Sequence, residues 1–255
     1  MSSQYRLSKD WIQAMDLEDL YSYQSKAPAK IQDAAKDIIF SEKQQDFKVK
    51  GVIQEGGSRA LANAASNLED LKKAILSFDG CALKKGATNT VFSDGNPSAS
   101  IMLIGEAPGA SEDEAGIPFC GESGKLLDNM LKSIGLVRDN DFYITNTIFW
   151  RPPANRAPTD EEIAICRPFV EKHIALIKPK LLILVGATAV NSLLGKHLQI
   201  SKIRQEYYFY SNQYLSEKIP TTALFHPAYL LRQPGQKKAS WYDLLKIKDF
   251  IYEKK

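Results

Sequence analysis

Three polar side chains stand at the ends of apolar runs: Glu106 in SIMLIGEAPG, Asn146 in FYITNTIF and His226 in TTALFHPAY. A carboxylate at the buried end of a strand is costly unless pairing or function retains it. Such a group can hold a water molecule or face a developing cation. An Asn amide carries donors and an acceptor side by side, which suits the edge of a heterocyclic base, although Asn also stabilises turns. An imidazole can donate to a carbonyl oxygen or carry a proton, although a lone His can also be structural. Downstream of Glu106 the loop ASEDEAGIPFCGESG sets Gly and Pro around one aromatic, Phe119. That ring is either an exposed flat platform or a cap on the core. His173 and His197, on a helix and in a loop, carry no comparable signal.

These side chains can act together only if their strands end on one edge. The pattern alternates strand and helix: SIMLIGEAPG, then the helix GKLLDNMLKSIGL stopped by Gly135, then FYITNTIF and a helix from Thr159. LLILVG, the short helix ATAVNSLLG, TTALFHPAY and the closing helix SWYDLLKIKDFIYEK complete it. Strands separated by helical stretches predict a three-layer α/β/α fold with a central, mainly parallel four-stranded sheet. In such sheets ligands bind beyond the carboxyl ends of the strands, where Glu106, Asn146 and His226 all project.

Upstream, residues 59–77 predict one helix with Leu61, Ala64, Ala65, Leu68, Leu71 and Ile75 on its apolar face. Residues 8–24 read as a short helix with Ser8 as its cap, and the Lys-, Gln- and Gly-rich stretch from Ser25 to about Arg59 as a linker. The expected division is an extension over 1–58 and a folded domain over 59–255.

At 44% hydrophobic and 25% charged residues the composition is that of a globular chain. A net charge of +3 permits nucleic-acid binding without arguing for it. No run reaches the roughly 18 apolar residues of a membrane span, and MSSQYRLSKDW lacks the apolar core of a secretory signal, so a cytoplasmic protein is expected. The three cysteines, Cys81, Cys120 and Cys166, are odd in number and far apart, which suits a reducing compartment. Neither GxxxxGK[ST] nor GxGxxG is present, against a nucleotide-binding fold of those types.

Taken together, GEAPGASEDEAGIPFCGESGKLL, YITNTIFWRPPANRAPT and FHPAYLLR resemble the thermophile-type, family 4 branch of the uracil-DNA glycosylase superfamily, from about Asp79 to the C-terminus. The resemblance implies an enzyme that flips uracil out of single- or double-stranded DNA and hydrolyses its bond to deoxyribose. It implies that Glu106 positions or activates the attacking water and that His226 sits near the uracil O2. It places the backbone of Ala107 and Gly109 close to the flipped nucleotide, Phe119 against the uracil ring and Asn146 on the pyrimidine edge. In HPAYLLRQPGQKKAS, Tyr229, Leu230 and Leu231 could wedge into the emptied stack, and Arg232, Lys237 and Lys238 could hold phosphates. The Leu pair could equally begin the core contacts of the last helix. A monomer that needs no cofactor or metal is expected.

Members of that branch carry four cysteines that ligate a 4Fe–4S cluster. Here Cys81 and Cys166 occupy two of those positions, while Phe78 and Trp150 occupy the others and cannot ligate iron. Cys120, in the Phe119 loop, is no obvious substitute. The expectation is that the four positions converge and fill the vacated volume as a small apolar core. Glycosylases for other lesions, such as hypoxanthine, xanthine or mismatched thymine, and a non-catalytic DNA-binding protein on the same scaffold remain open alternatives.

Overall fold

The computed structural model describes residues 57–195 and 198–253. The helix expected over 8–24, most of the linker and His197 lie outside the described residues. The strands are β1 (Asp94–Gly95), β2 (Ile101–Gly105), β3 (Phe142–Asn146), β4 (Leu181–Val185), β5 (Tyr208–Tyr210) and β6 (Ile219–Leu224). The helices are α1 (Ser58–Ala64), α2 (Leu68–Ser77), α3 (Ala110–Ala115), α4 (Glu122–Lys132), α5 (Arg138–Asp141) and α6 (Asp160–Ile177). They continue as α7 (Ala187–Leu193), α8 (Ile200–Ile203), α9 (Pro227–Arg232) and α10 (Lys237–Glu253).

The sheet has six strands in the order β1-β3-β2-β4-β6-β5, not the four expected. The inner four are parallel and the two edges antiparallel. Both missed strands are edges of two or three residues, too short to show a period. The parallel strands are buried on both faces and so read as continuous apolar runs. Alternate residues divide between two cores: Met102, Ile104, Leu182 and Leu184 face one way, Ile101, Leu103, Ile183 and Val185 the other. Helices α1, α2 and α6 lie on the first side, α4 and α10 on the second.

The single helix expected over 59–77 is two. Ala65 turns extended after α1, and Asn67 caps α2 by accepting from the Asp70 N–H at 2.9 Å. Helix α1 is tied to α6 by the Arg59–Glu171 ion pair at 2.5 Å, with Arg167 on the other carboxylate oxygen at 2.8 Å. Helix α6 begins as expected at Thr159, whose hydroxyl accepts from Glu162 N–H while the Glu162 carboxylate accepts from Thr159 N–H.

His173 on α6 is wholly buried, stacked on Phe92 at 4.6 Å and 2.8 Å from the Tyr143 hydroxyl. Burial pushes its pKa down to about 3, so the folded protein refuses a proton that the unfolded chain binds below about pH 6.5. Stability is therefore complete above that pH and falls by about 1.4 kcal/mol per pH unit below it from this residue alone. Urea unfolding between pH 7.5 and 5 is expected to show that slope, and His173→Gln to flatten it.

Candidate active site

The chain leaves β2 for β3 on one flank and returns for β4 and β6 on the other, so the switch point lies between β2 and β4. Three of the four parallel strands, β2, β3 and β6, deliver a candidate side chain there, while β4 leads into Gly186. Gly105 is the register partner of Asn146, and beyond them Thr147 N–H and Ile148 N–H donate to the carbonyls of Gly105 and Glu106. The Thr147 hydroxyl also donates to the Glu106 carbonyl at 2.6 Å, so the backbone under Glu106 is held twice. Across the switch, Gly186 has φ +98° and donates to the Leu224 carbonyl, which brings β4 against the chain leading to His226. A Cβ at Gly186 would stand 3.1 Å from that of His226.

Gly105 is the floor of the site. A Cβ there would lie 2.3 Å from Phe119 Cζ and 2.5 Å from Asn146 Oδ1, so the ring and the amide both close over it. The Asn146 Oδ1 is buried and has no hydrogen-bond partner among the described residues. Phe119 is only 6% exposed, which agrees with a cap on the core rather than an exposed platform. Its ring packs with the second core and 5.7 Å from the His226 ring, tilted by 30°. The backbone of Phe119 has φ +53°, a left-handed conformation uncommon for a non-glycine residue.

His226 caps α9, and its Nδ1 accepts from the Ala228 N–H at 3.2 Å. Burial pushes its pKa below the ordinary value, the Glu106 carboxylate pulls it back, Arg232 pushes it down and Glu112 pulls it up. The neutral ring therefore carries its proton on Nε2, as a donor. Glu106 is half-buried, and its Oε2 accepts from the Thr188 hydroxyl at 2.5 Å. Ala107 is half-buried against the first core. Gly109 precedes α3, and its N–H donates to Glu112 at 3.1 Å; a Cβ there would meet the same carboxylate at 2.8 Å.

The segment after His226 departs in part from expectation. Leu230 is fully buried in the second core and cannot wedge, because the helical turn of α9 directs it inward. Tyr229 and Leu231 are half-buried beside it, and Arg232 is exposed. Lys237 is only 7% exposed, which removes it from a phosphate-facing surface. Lys238 lines a separate cavity of about 510 Å³ with Arg204, Tyr242, Asp243 and Lys246. Sequence reasoning missed Thr188, Gly186 and Arg138. The two glycines ending apolar strands, Gly105 and Gly186, were a usable signal of close approach; nothing local marks Arg138.

Phe78, Cys81, Trp150 and Cys166, the positions at which the resemblance implies cluster ligands, do converge. The Phe78 and Trp150 rings stack at 6.5 Å, Phe169 meets Phe78 edge-on at 5.2 Å, and all are buried with Cys81 and Cys166 in the first core. The bond to Cys81 and full burial push the Cys166 thiol well up, so it stays protonated. Two thiols and two rings do not fit a four-thiolate cluster, and no group of three or more His, Cys, Asp or Glu able to hold a metal occurs among the described residues. The purified protein is expected to lack a band near about 400 nm and to melt identically with and without chelator. A brown protein with stoichiometric iron is the contrary result.

Comparison with known proteins accords with this geometry. The profile of the Uracil DNA glycosylase superfamily matches residues 92–246. The type-4 uracil-DNA glycosylase of Sulfurisphaera tokodaii is 38% identical over 188 residues, 72% of this chain and 84% of the relative. That of Archaeoglobus fulgidus is 36% identical over 192 residues, 74% and 95% of the two chains. That of Thermotoga maritima is 37% identical over 189 residues, 72% and 94%. Because the superfamily profile covers more than half of the chain and these relatives are matched over most of their own length, this chain belongs to the uracil-DNA glycosylase superfamily and its likeness lies with the type-4 branch.

Proposed function

We propose that the protein excises uracil from DNA by hydrolysing the C1′–N1 bond, leaving an abasic site. The observation that carries this reading is the buried, unpartnered Asn146 Oδ1 beside the Phe119 ring. An orphaned buried acceptor costs about 1–3 kcal/mol, so the site is suited to a ligand that brings a donor. Uracil offers N3–H to that oxygen and O4 to the amide nitrogen. Cytosine presents an acceptor and a donor in the reverse order and leaves both pairs unmade.

The base must first leave the stack, at a cost of a few kcal/mol. Tyr229 and Leu231, half-buried past His226, are read as the apolar residues that occupy the gap, and Arg232 and Lys238 as the cations for phosphates. Phe119 then forms one wall of the uracil site, with the backbone of Ala107 and Gly109 at its rim. As C1′–N1 breaks, its electron pair passes to N1 and charge spreads to O2, where the Nε2–H of His226 stabilises it. The Glu106 carboxylate faces the sugar cation and holds the water whose oxygen bonds to C1′. The water's proton passes to that carboxylate, and the departing base takes up a proton to leave as uracil. The glycosylase unit is read as residues 59–255, with 1–58 as an extension. It is taken to work as a monomer in the cytoplasm, in keeping with its free cysteines; no described helix is long and apolar enough to cross a membrane.

Abasic-site formation on oligonucleotides with U·G, U·A, single-stranded U, hypoxanthine, xanthine and T·G tests the proposal. Uracil substrates are expected to be cut without added metal. Asn146→Ala is expected to lower single-turnover excision by about 100-fold, with DNA affinity nearly unchanged because phosphates dominate it. Equal losses in both assays would assign Asn146 to the fold.

A further inference from the structure

Thr188 takes no part in the roles above, yet it makes the one hydrogen bond to the side chain of Glu106 among the described residues. It sits two residues past Gly186, in the first turn of α7, and is separated from Glu106 by 82 positions in sequence. Its hydroxyl has a single proton, and in the 2.5 Å contact it donates that proton's hydrogen bond to Glu106 Oε2, since the carboxylate can only accept. The second oxygen, Oε1, receives no hydrogen bond from the described residues. The carbonyl of the same Glu106 is fixed by Thr147 and Ile148, just past the end of β3. One residue is thus pinned at its backbone by the segment that follows β3 and at its carboxylate by the helix that follows β4, across the switch point.

A Glu side chain has several rotors, and a carboxylate free to turn holds a water at C1′ only part of the time. Thr is β-branched and so confined at χ1, which makes its hydroxyl a firmer anchor than an unbranched one. Thr188 is also only half-buried, so a hydroxyl serving structure alone could bond to solvent instead. We infer that Thr188 is a positioning residue for the reaction: it occupies Oε2 and turns Oε1 of Glu106 to the attacking water. This rests on the role proposed for Glu106.

The test is a double-mutant cycle in single-turnover excision from a U·G oligonucleotide, with DNA binding followed by fluorescence anisotropy and folding by melting temperature. The proteins are wild type, Thr188→Val, Thr188→Ser, Glu106→Gln and the double variant Glu106→Gln/Thr188→Val. Thr188→Val is expected to slow excision about tenfold, the effect of losing a hydrogen bond to a charged group, with affinity within about twofold. Thr188→Ser, which restores the donor, is expected to stay within about threefold of wild type. In the Glu106→Gln background Thr188→Val should cause no further loss, since a residue acting through another is silent once that partner is gone. If Glu106→Gln is slow while Thr188→Val matches wild type, Glu106 keeps its role and Thr188 has none. If Thr188→Val slows both backgrounds equally, Thr188 acts apart from Glu106 and the inference is overturned. If Glu106→Gln excises at the wild-type rate, the role of Glu106 falls and the inference with it. Should Thr188→Val fail to fold, Thr188→Ala carries the same cycle to the same decision.

Discussion

Gly105→Ala is expected to lower uracil excision by about 10³-fold or more. The reason is proximity, not backbone conformation, since Gly105 lies in ordinary extended strand. The added Cβ would sit 2.3 Å from Phe119 Cζ and 2.5 Å from Asn146 Oδ1, separations that real side chains do not tolerate. Either the ring or the amide must move by about an ångström, and a displacement of that size at a reacting centre costs about 100-fold by itself. Here the same atom pushes on the wall of the base site and on the group that reads its edge. DNA affinity is expected to change little, because backbone phosphates lie outside this pocket. Single-turnover kinetics with parallel binding measurements check this. Near-normal excision would mean that the Phe119 ring turns aside freely and is no wall of the site.

Arg138→Ala is expected to give the largest loss of stability, about 2–4 kcal/mol, or a fall in Tm of roughly 5–12 °C. The Arg138 side chain is 13% exposed. It donates to the carbonyls of Pro118 and Phe119, both at 2.9 Å, and pairs with Asp128 at 2.8 Å and Asp94 at 3.1 Å. Those bonds hold a loop whose central residue, Phe119, has the unfavourable φ of +53°. From the other side Gly124 closes on the same loop, since a Cβ there would meet the Phe119 carbonyl at 1.8 Å. Without Arg138 two carbonyls lose their donor, and Asp128, whose carboxyl burial already pushes up, loses the cation that pulls it down. Excision is expected to fall by about 100-fold as the ring loses its position. Arg138→Lys should recover less than half of either loss, because an ammonium cannot span two carbonyls and a carboxylate as the guanidinium fork does. Calorimetry and excision rates test both parts, and a variant that melts normally but excises slowly would confine Arg138 to the site.

What the sequence determined about this protein follows from solvent and period. The central strands show because a parallel strand covered on both faces must be apolar throughout, so Glu106, Asn146 and His226 stand out where the runs end. Helix α6 shows because Thr159 and Glu162 form a local cap, and α4 because Gly135 stops it. The vacated cluster shows because Phe78 and Trp150 stand at ligand positions of a recognisable pattern. Only the tertiary structure decided the rest. The edge strands β1 and β5 owe their pairing to β3 and β6, not to any pattern of their own. Leu230 and Lys237 are buried in the folded chain, and Phe119 is covered because Gly105, Arg138 and His226, remote in the chain, close around it. Gly105 under Asn146, Arg138 on the Phe119 loop and Thr188 on Glu106 are contacts across 41, 19 and 82 positions. A periodicity records which face of an element is dry, but it carries no information about which distant side chain will meet that face, and it is those meetings that build the site.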